Sequence, residues 1–118
     1  NNTGLQFLIA MNYGSRNEMI RAMKKMLADY KKGDFKEEEL NEEKFASYLD
    51  TADVPDPDLM IRTSGEERLS NYLMWQRAYS EFDCTKTPWP DFKRAELIEA
   101  IKAYTSRDRR YGGIKEEA

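Results

Sequence analysis

The chain contains no histidine. That absence removes most hydrolytic triads and most zinc sites from consideration, because both depend on an imidazole. A single cysteine, Cys84, excludes a disulfide within the chain. Basic residues are not in excess: 19 Lys and Arg stand against 22 Asp and Glu, for a net charge of −3. Nothing in that balance favours nucleic acid, since a surface that tracks phosphates usually shows a basic surplus. The longest purely apolar run, Phe7 to Met11, is far too short to span a bilayer, and no signal-peptide pattern is present. What remains is a soluble, cytoplasmic-looking composition: 40% hydrophobic, enough for a core, with 35% charged residues for a heavily solvated surface. The opening Asn1-Asn2-Thr3-Gly4 runs without a Met start into apolar sequence, which reads as a piece of a longer protein.

Periodicity predicts an α/β chain in the order βα(α)βαβα. Leu5 to Met11 reads as a strand buried on both faces, the kind a parallel sheet requires. Asn12-Tyr13-Gly14 ends it. Ser15 to Glu18 has capping-box spacing, and Met19, Ile20, Met23, Met26, Leu27 and Tyr30 recur on one helical face that stops near Gly33. The acidic stretch from Asp34 to Asp58 reads as a solvated face with a short helix after Asn41, then a loop marked by Pro55 and Pro57. A strand is expected at Leu59 to Arg62, a helix from Ser70 to Tyr79, and a strand from Phe82 to Thr87. Asp91 is the expected N-cap of a last helix with Leu97, Ile98, Ile101, Tyr104 and Thr105 on one face, ending at Arg107, Arg109 and Arg110. Three strands are few for a parallel sheet, so further N-terminal strands are expected to be missing.

The segment from Leu59 to Glu81, LMIRTSGEERLSNYLMWQRAYSE, carries the functional signal. A strand, a polar loop around Gly65 and a helix form an arrangement in which anions bind, beyond the carboxyl end of the strand and against helix N–H groups. Arg62 and Arg68 can grip a phosphate, and Ser70 can add a hydroxyl donor. Glu66, Glu67 and Glu81 supply carboxylates, of which one suffices for a magnesium ion carried by phosphate. Each also has a plain alternative: an arginine at a strand end can simply pair with a surface carboxylate, and Glu81 can be a helix-terminal surface charge. Leu73, Met74, Trp75 and Tyr79 read first as core or subunit packing, with Trp75 the best interface residue.

The run IRTSGEERLSNYLMWQRAYSEF, followed by WPDF and RRYGG, resembles the C-terminal half of cis-prenyltransferases of the bacterial undecaprenyl diphosphate synthase type. The start, NTGLQFLIAMNYGSRNEM, is similar to the family's mid-chain strand and NYGGR-type turn, with Ser15 in place of the second glycine. The resemblance covers nearly the whole chain and implies that residues 1–118 are the C-terminal fragment of one such domain. It implies condensation of isopentenyl diphosphate with an allylic diphosphate such as farnesyl diphosphate, each new double bond cis, making the carrier lipid of a bacterial cell envelope. On this resemblance Arg62, Arg68 and Ser70 bind isopentenyl diphosphate, Glu66 supports their loop and Glu81 helps to place Mg2+. Arg110, in Arg110-Tyr111-Gly112, matches the C-terminal RxG motif that reaches the partner subunit's active site, which implies a homodimer. The lipid product implies peripheral membrane contact without a transmembrane segment. Glu67 stands where some members have a histidine, which leaves its role open.

No stretch matches the family's N-terminal HxMDGNxRWA-type segment, which carries the catalytic aspartate. The resemblance therefore implies no catalytic residue in this chain and no synthase activity for the chain alone. A non-catalytic partner subunit and a phosphate-binding scaffold domain are the alternatives. Retention of Arg62, Glu66, Arg68, Ser70 and Glu81 together argues against the partner subunit, which need not keep a complete isopentenyl site.

Overall fold

The computed structural model describes residues 3–107. The chain divides into two compact units, the first ending at Asp53 and the second beginning at Val54.

In the first unit, helix α1 (Ser15–Lys32) stops where expected, with Gly33 at φ 81° as its left-handed C-cap. The capping box is a correction. Gly14 is the N-cap and Ser15 already lies inside the helix, while Glu18, 1% exposed, turns its carboxylate elsewhere. It accepts from the Tyr13 hydroxyl at 2.5 Å and from the Asp50 backbone N–H at 2.9 Å. A buried carboxylate needs such donors, and this pair ties the turn before α1 to the end of the unit. Arg21 closes the same junction with a two-pronged pair to Asp50 at 2.7 and 2.8 Å. Helix α2 (Glu42–Ala46) begins at Asn41, whose side chain accepts from the Lys44 N–H at 2.8 Å. The core here is small: Ala22, Met26, Phe35 and Leu49 are buried, with Phe35 between the rings of Tyr30 and Tyr48.

Tyr48 donates its hydroxyl to Asp29 at 2.7 Å. That hydrogen bond, then burial, then the Asp29 and Asp34 charges push the phenol from 10.0 up to about 12. A raised folded-state value favours the protonated form, so this contribution to stability is complete below pH 10 and fades as the pH rises towards 12. Spectrophotometric titration of wild type and Tyr48→Phe is expected to differ by one late-ionising phenol, present in the wild type and lost in the variant. A Tyr48→Phe curve that still contains it would contradict the assignment.

Leu5 to Met11 is the largest departure from expectation. It forms no strand and lies exposed, its large apolar side chains ranging from 60% at Leu8 to 91% at Leu5. A strand exists only as part of a ladder, and no described residue supplies the neighbouring edge. The α1 stripe behaves alike: Ile20, Met23, Leu27 and Tyr30 are exposed and only Met26 of the expected face is buried.

The second unit holds a parallel pair, β1 (Leu59–Arg62) and β2 (Glu81–Cys84), in the register Leu59 with Glu81 through Arg62 with Cys84. β2 is shorter than the expected Phe82 to Thr87 and starts one residue earlier. Helix α3 (Arg94–Ser106) packs beside β2 and buries Ala100, but Leu97, Ile98 and Ile101 stay exposed. Asp91 is not its cap. Trp89–Asp91 closes a 3-10 turn, with the Asp91 N–H donating to Pro88 O, and Lys93 takes the N-cap, its N–H bonded to the Glu96 carboxylate at 2.8 Å.

The helix expected from Ser70 to Tyr79 is replaced by a series of turns. Ser70, Asn71 and Leu73 adopt φ of 49°, 55° and 46°, and left-handed residues so closely spaced cannot propagate a right-handed helix. Leu69, Tyr72, Met74 and Tyr79 remain exposed. A helix this short depends on burying such a stripe, and that support is missing.

Candidate functional site: the loop beyond strand β1

β1 delivers Arg62 to the carboxyl end of the sheet, and the loop after it keeps the ladder going without being a strand. Thr85 N–H donates to Arg62 O at 2.9 Å, Gly65 N–H to Thr85 O at 2.8 Å and Ser64 N–H to Thr87 O at 3.0 Å. Two consecutive left-handed residues, Ser64 at φ 62° and Gly65 at φ 67°, turn the chain back. A Cβ at Gly65 would meet nothing within 4 Å, so the demand for glycine there is conformational rather than steric.

The turn gathers four of the expected site residues. Arg62 Nη2 donates to Ser70 Oγ at 3.0 Å, and Arg68 Nε donates to Glu66 Oε2 at 3.0 Å. The two pairs are electrostatically joined. The Glu66 carboxyl is held below its ordinary value first by the hydrogen bond from Arg68, then by the Arg68 charge, with Arg62 adding to it against a desolvation cost. Arg68 is raised by the same bond. Arg62 is half-buried, whereas the Arg68 side chain is 80% exposed. Arg62 is anchored through its backbone in the sheet and through Ser70 at its tip, whereas Arg68 is held by a surface pair of small net worth.

Cys84 closes the rim opposite Arg62, its thiol donating to Glu66 O at 3.5 Å. Burial and the Glu67 and Asp83 charges push the thiol up, against Arg62. Beside the loop lies a cavity of about 300 Å³ lined by Met60, Leu69, Met74 and Phe82 among others. Leu69 sits between Arg68 and Ser70, so the charged rim and the apolar hollow share a wall.

The expected helix N-terminus is not available as an anion contact, because Ser70 lies in a left-handed turn. Glu81 stands at the other end of the sheet. It pairs in register with Leu59, while Arg62 pairs with Cys84, and three strand rises separate those positions by roughly 10 Å. Its carboxylate meets Arg107 Nη1 at 3.5 Å. Arg107 is the residue that sequence reasoning missed as a site contact; the basic end of α3 was its only signal. Arg110 lies outside the described residues.

No group of three or more Cys, Asp or Glu able to hold a metal occurs among the described residues. A magnesium ion carried by a diphosphate needs only one or two carboxylates. Glu81 meets that lesser demand, since Oε2 faces Arg107 and no hydrogen bond involves Oε1 among the described residues.

A family model described as "Putative undecaprenyl diphosphate synthase" matches residues 1–112. The chain belongs to this prenyltransferase family. The isoprenyl transferase of Clostridium perfringens is 52% identical over 114 residues, which are 97% of this chain and 45% of that protein. The Rhizobium meliloti isoprenyl transferase is 50% identical, covering 96% of this chain and 46% of its own length. Among solved structures, the lavandulyl diphosphate synthase of Lavandula x intermedia, in complex with dimethylallyl diphosphate, superposes with a TM-score of 0.80 at 36% identity, over 85% of this chain and 43% of that one. A "probable undecaprenyl diphosphate synthase" of Campylobacter jejuni gives 0.71 at 35% identity, over 86% and 45%. The chain therefore spans less than half the length of the family members it matches, and its α/β fold is the corresponding portion of theirs. No described helix is long and apolar enough to cross a membrane.

Proposed function

We propose that the chain is the C-terminal part of a cis-prenyltransferase domain and supplies the isopentenyl diphosphate half of its active site. The reading rests on one observation above the others: two guanidinium groups, a hydroxyl and a carboxylate from a nine-residue span, Arg62 to Ser70, are linked in pairs beyond the carboxyl end of a parallel strand. Arg62 grips the diphosphate from the sheet, Arg68 folds over it from the rim, and Ser70 donates its hydroxyl. Glu66 keeps Arg68 aimed at the loop. The short branched hydrocarbon of the substrate takes the apolar hollow whose wall is Leu69.

In the reaction, the isopentenyl double bond attacks C1 of an allylic diphosphate such as farnesyl diphosphate. The C1–O bond breaks, the diphosphate leaves with the electron pair, and the C2 proton of the isopentenyl unit passes to the released diphosphate or to water as the cis double bond forms. Glu81 would hold a magnesium ion carried by isopentenyl diphosphate, reached from the far end of the strand pair, and that ion would supply positive charge to the site. The aspartate expected for the chemistry belongs to sequence outside this chain, so the chain alone is inactive. Homodimer formation, with Arg110 reaching the partner's site, and a cytoplasmic enzyme serving envelope lipid synthesis follow from the same reading.

Calorimetric titration of the full-length protein with isopentenyl diphosphate tests it. Saturable binding that tightens when magnesium is added is expected. No binding, in either condition, would overturn the proposal in favour of a scaffold without this site.

A further inference from the structure

The Arg107 guanidinium makes a three-point contact with consecutive residues of β2. Nη1 donates to Phe82 O at 3.0 Å and lies 3.5 Å from Glu81 Oε2, while Nη2 reaches Asp83 Oδ1 at 3.3 Å. Residues 81 and 83 project from the same face of the strand, so one planar fork spans both carboxylates and takes its plane from the backbone carbonyl between them. The other end of the side chain is equally fixed. Arg107 is the C-cap of α3, its N–H donating to Tyr104 O at 3.1 Å, and a cation is favoured at that end of a helix. All three β2 groups and the guanidinium are no more than partly exposed.

Such a clamp does more to Glu81 than neutralise it. It occupies Oε2 and leaves Oε1 without a hydrogen bond among the described residues, as in metal sites where an outer partner fixes one side of a ligating group and leaves the other to the metal. We infer that Arg107 is a positioning residue, fixing the Glu81 carboxylate through Oε2 and leaving Oε1 to a divalent cation. Asp83 is the second anchor of the clamp. The inference rests on the proposed metal role of Glu81, which the test separates from it.

The measurement is manganese(II) binding, followed by electron paramagnetic resonance, to full-length protein saturated with isopentenyl diphosphate. Glu81→Gln is expected to remove most of the manganese affinity, and Arg107→Gln to weaken it about tenfold or more, with metal-free binding of isopentenyl diphosphate unchanged. Arg107→Lys restores the charge but not the fork, so it should recover the melting temperature without the manganese affinity. Asp83→Asn, which removes one leg of the clamp, should give a smaller loss of the same sign and serves where Arg107→Gln fails to fold. Weakening by Glu81→Gln with no effect of Arg107→Gln or Asp83→Asn overturns the positioning role and leaves the metal site standing. Tighter manganese binding in Arg107→Gln also overturns it, since Arg107 would then be a competitor. No effect of Glu81→Gln overturns both.

Discussion

Replacing Arg62 with alanine in the full-length protein is expected to weaken isopentenyl diphosphate binding by at least about 100-fold. A guanidinium on a diphosphate makes two charge-assisted hydrogen bonds at ~1.5–3 kcal/mol each, and every ~1.4 kcal/mol is a factor of ten in affinity. Arg62 is the side chain for which that full loss applies. It is half-buried at the strand end and also holds Ser70 at 3.0 Å, so its removal takes away one ligand contact and unfastens a second. Arg68, largely exposed and held by its pair with Glu66, should cost less. Arg62→Lys should recover part of the affinity, because an ammonium carries the charge without the fork. Calorimetry on the three variants checks the ranking; an Arg62→Ala protein that binds like wild type would remove the site from this loop.

The second large effect concerns the chain taken by itself. The 118-residue chain is expected to show no condensation activity and no sharp two-state melt, and to self-associate or bind a hydrophobic dye. The reason is uncovered apolar surface. Leu5, Phe7, Leu8, Ile9 and Met11 are exposed in series, and Ile20, Met23 and Leu27 add a helical stripe. Against these, the buried hydrophobic residues are Ala22, Met26, Phe35, Leu49 and Ala100. A core of that size offers little against the conformational entropy of ordering a chain this long. A monomeric species with coincident, cooperative transitions by two probes would contradict this expectation.

Features set by neighbouring residues were legible in the sequence. Gly33 ends α1 because only a left-handed residue fits there, Asn41 starts α2 through its own side chain, and β1 occupies Leu59–Arg62 as the apolar run indicates. The grouping of Arg62, Glu66, Arg68 and Ser70 was legible for the same reason, since one turn around Gly65 brings them together. Features that need distant partners were not. Leu5 to Met11 has strand composition, but a strand requires a paired edge. The segment from Ser70 to Tyr79 has helical spacing, yet Leu69, Tyr72 and Tyr79 of its stripe are left exposed. Glu18 fits a capping box locally but is claimed by the Asp50 N–H, 32 residues on. Nothing in the spacing of Glu81, Asp83 and Arg107 announces that a helix end returns to the start of β2.

On the proposed function, the loop from Arg62 to Ser70 holds a diphosphate. A crystal structure of the full-length protein with isopentenyl diphosphate and magnesium tests it most directly. The predicted result is a diphosphate within hydrogen-bond distance of the Arg62 and Arg68 guanidinium groups and the Ser70 hydroxyl, with the Arg68–Glu66 pair opened or shared. A diphosphate bound elsewhere, with Arg62 still on Ser70 and Arg68 still on Glu66, would contradict it.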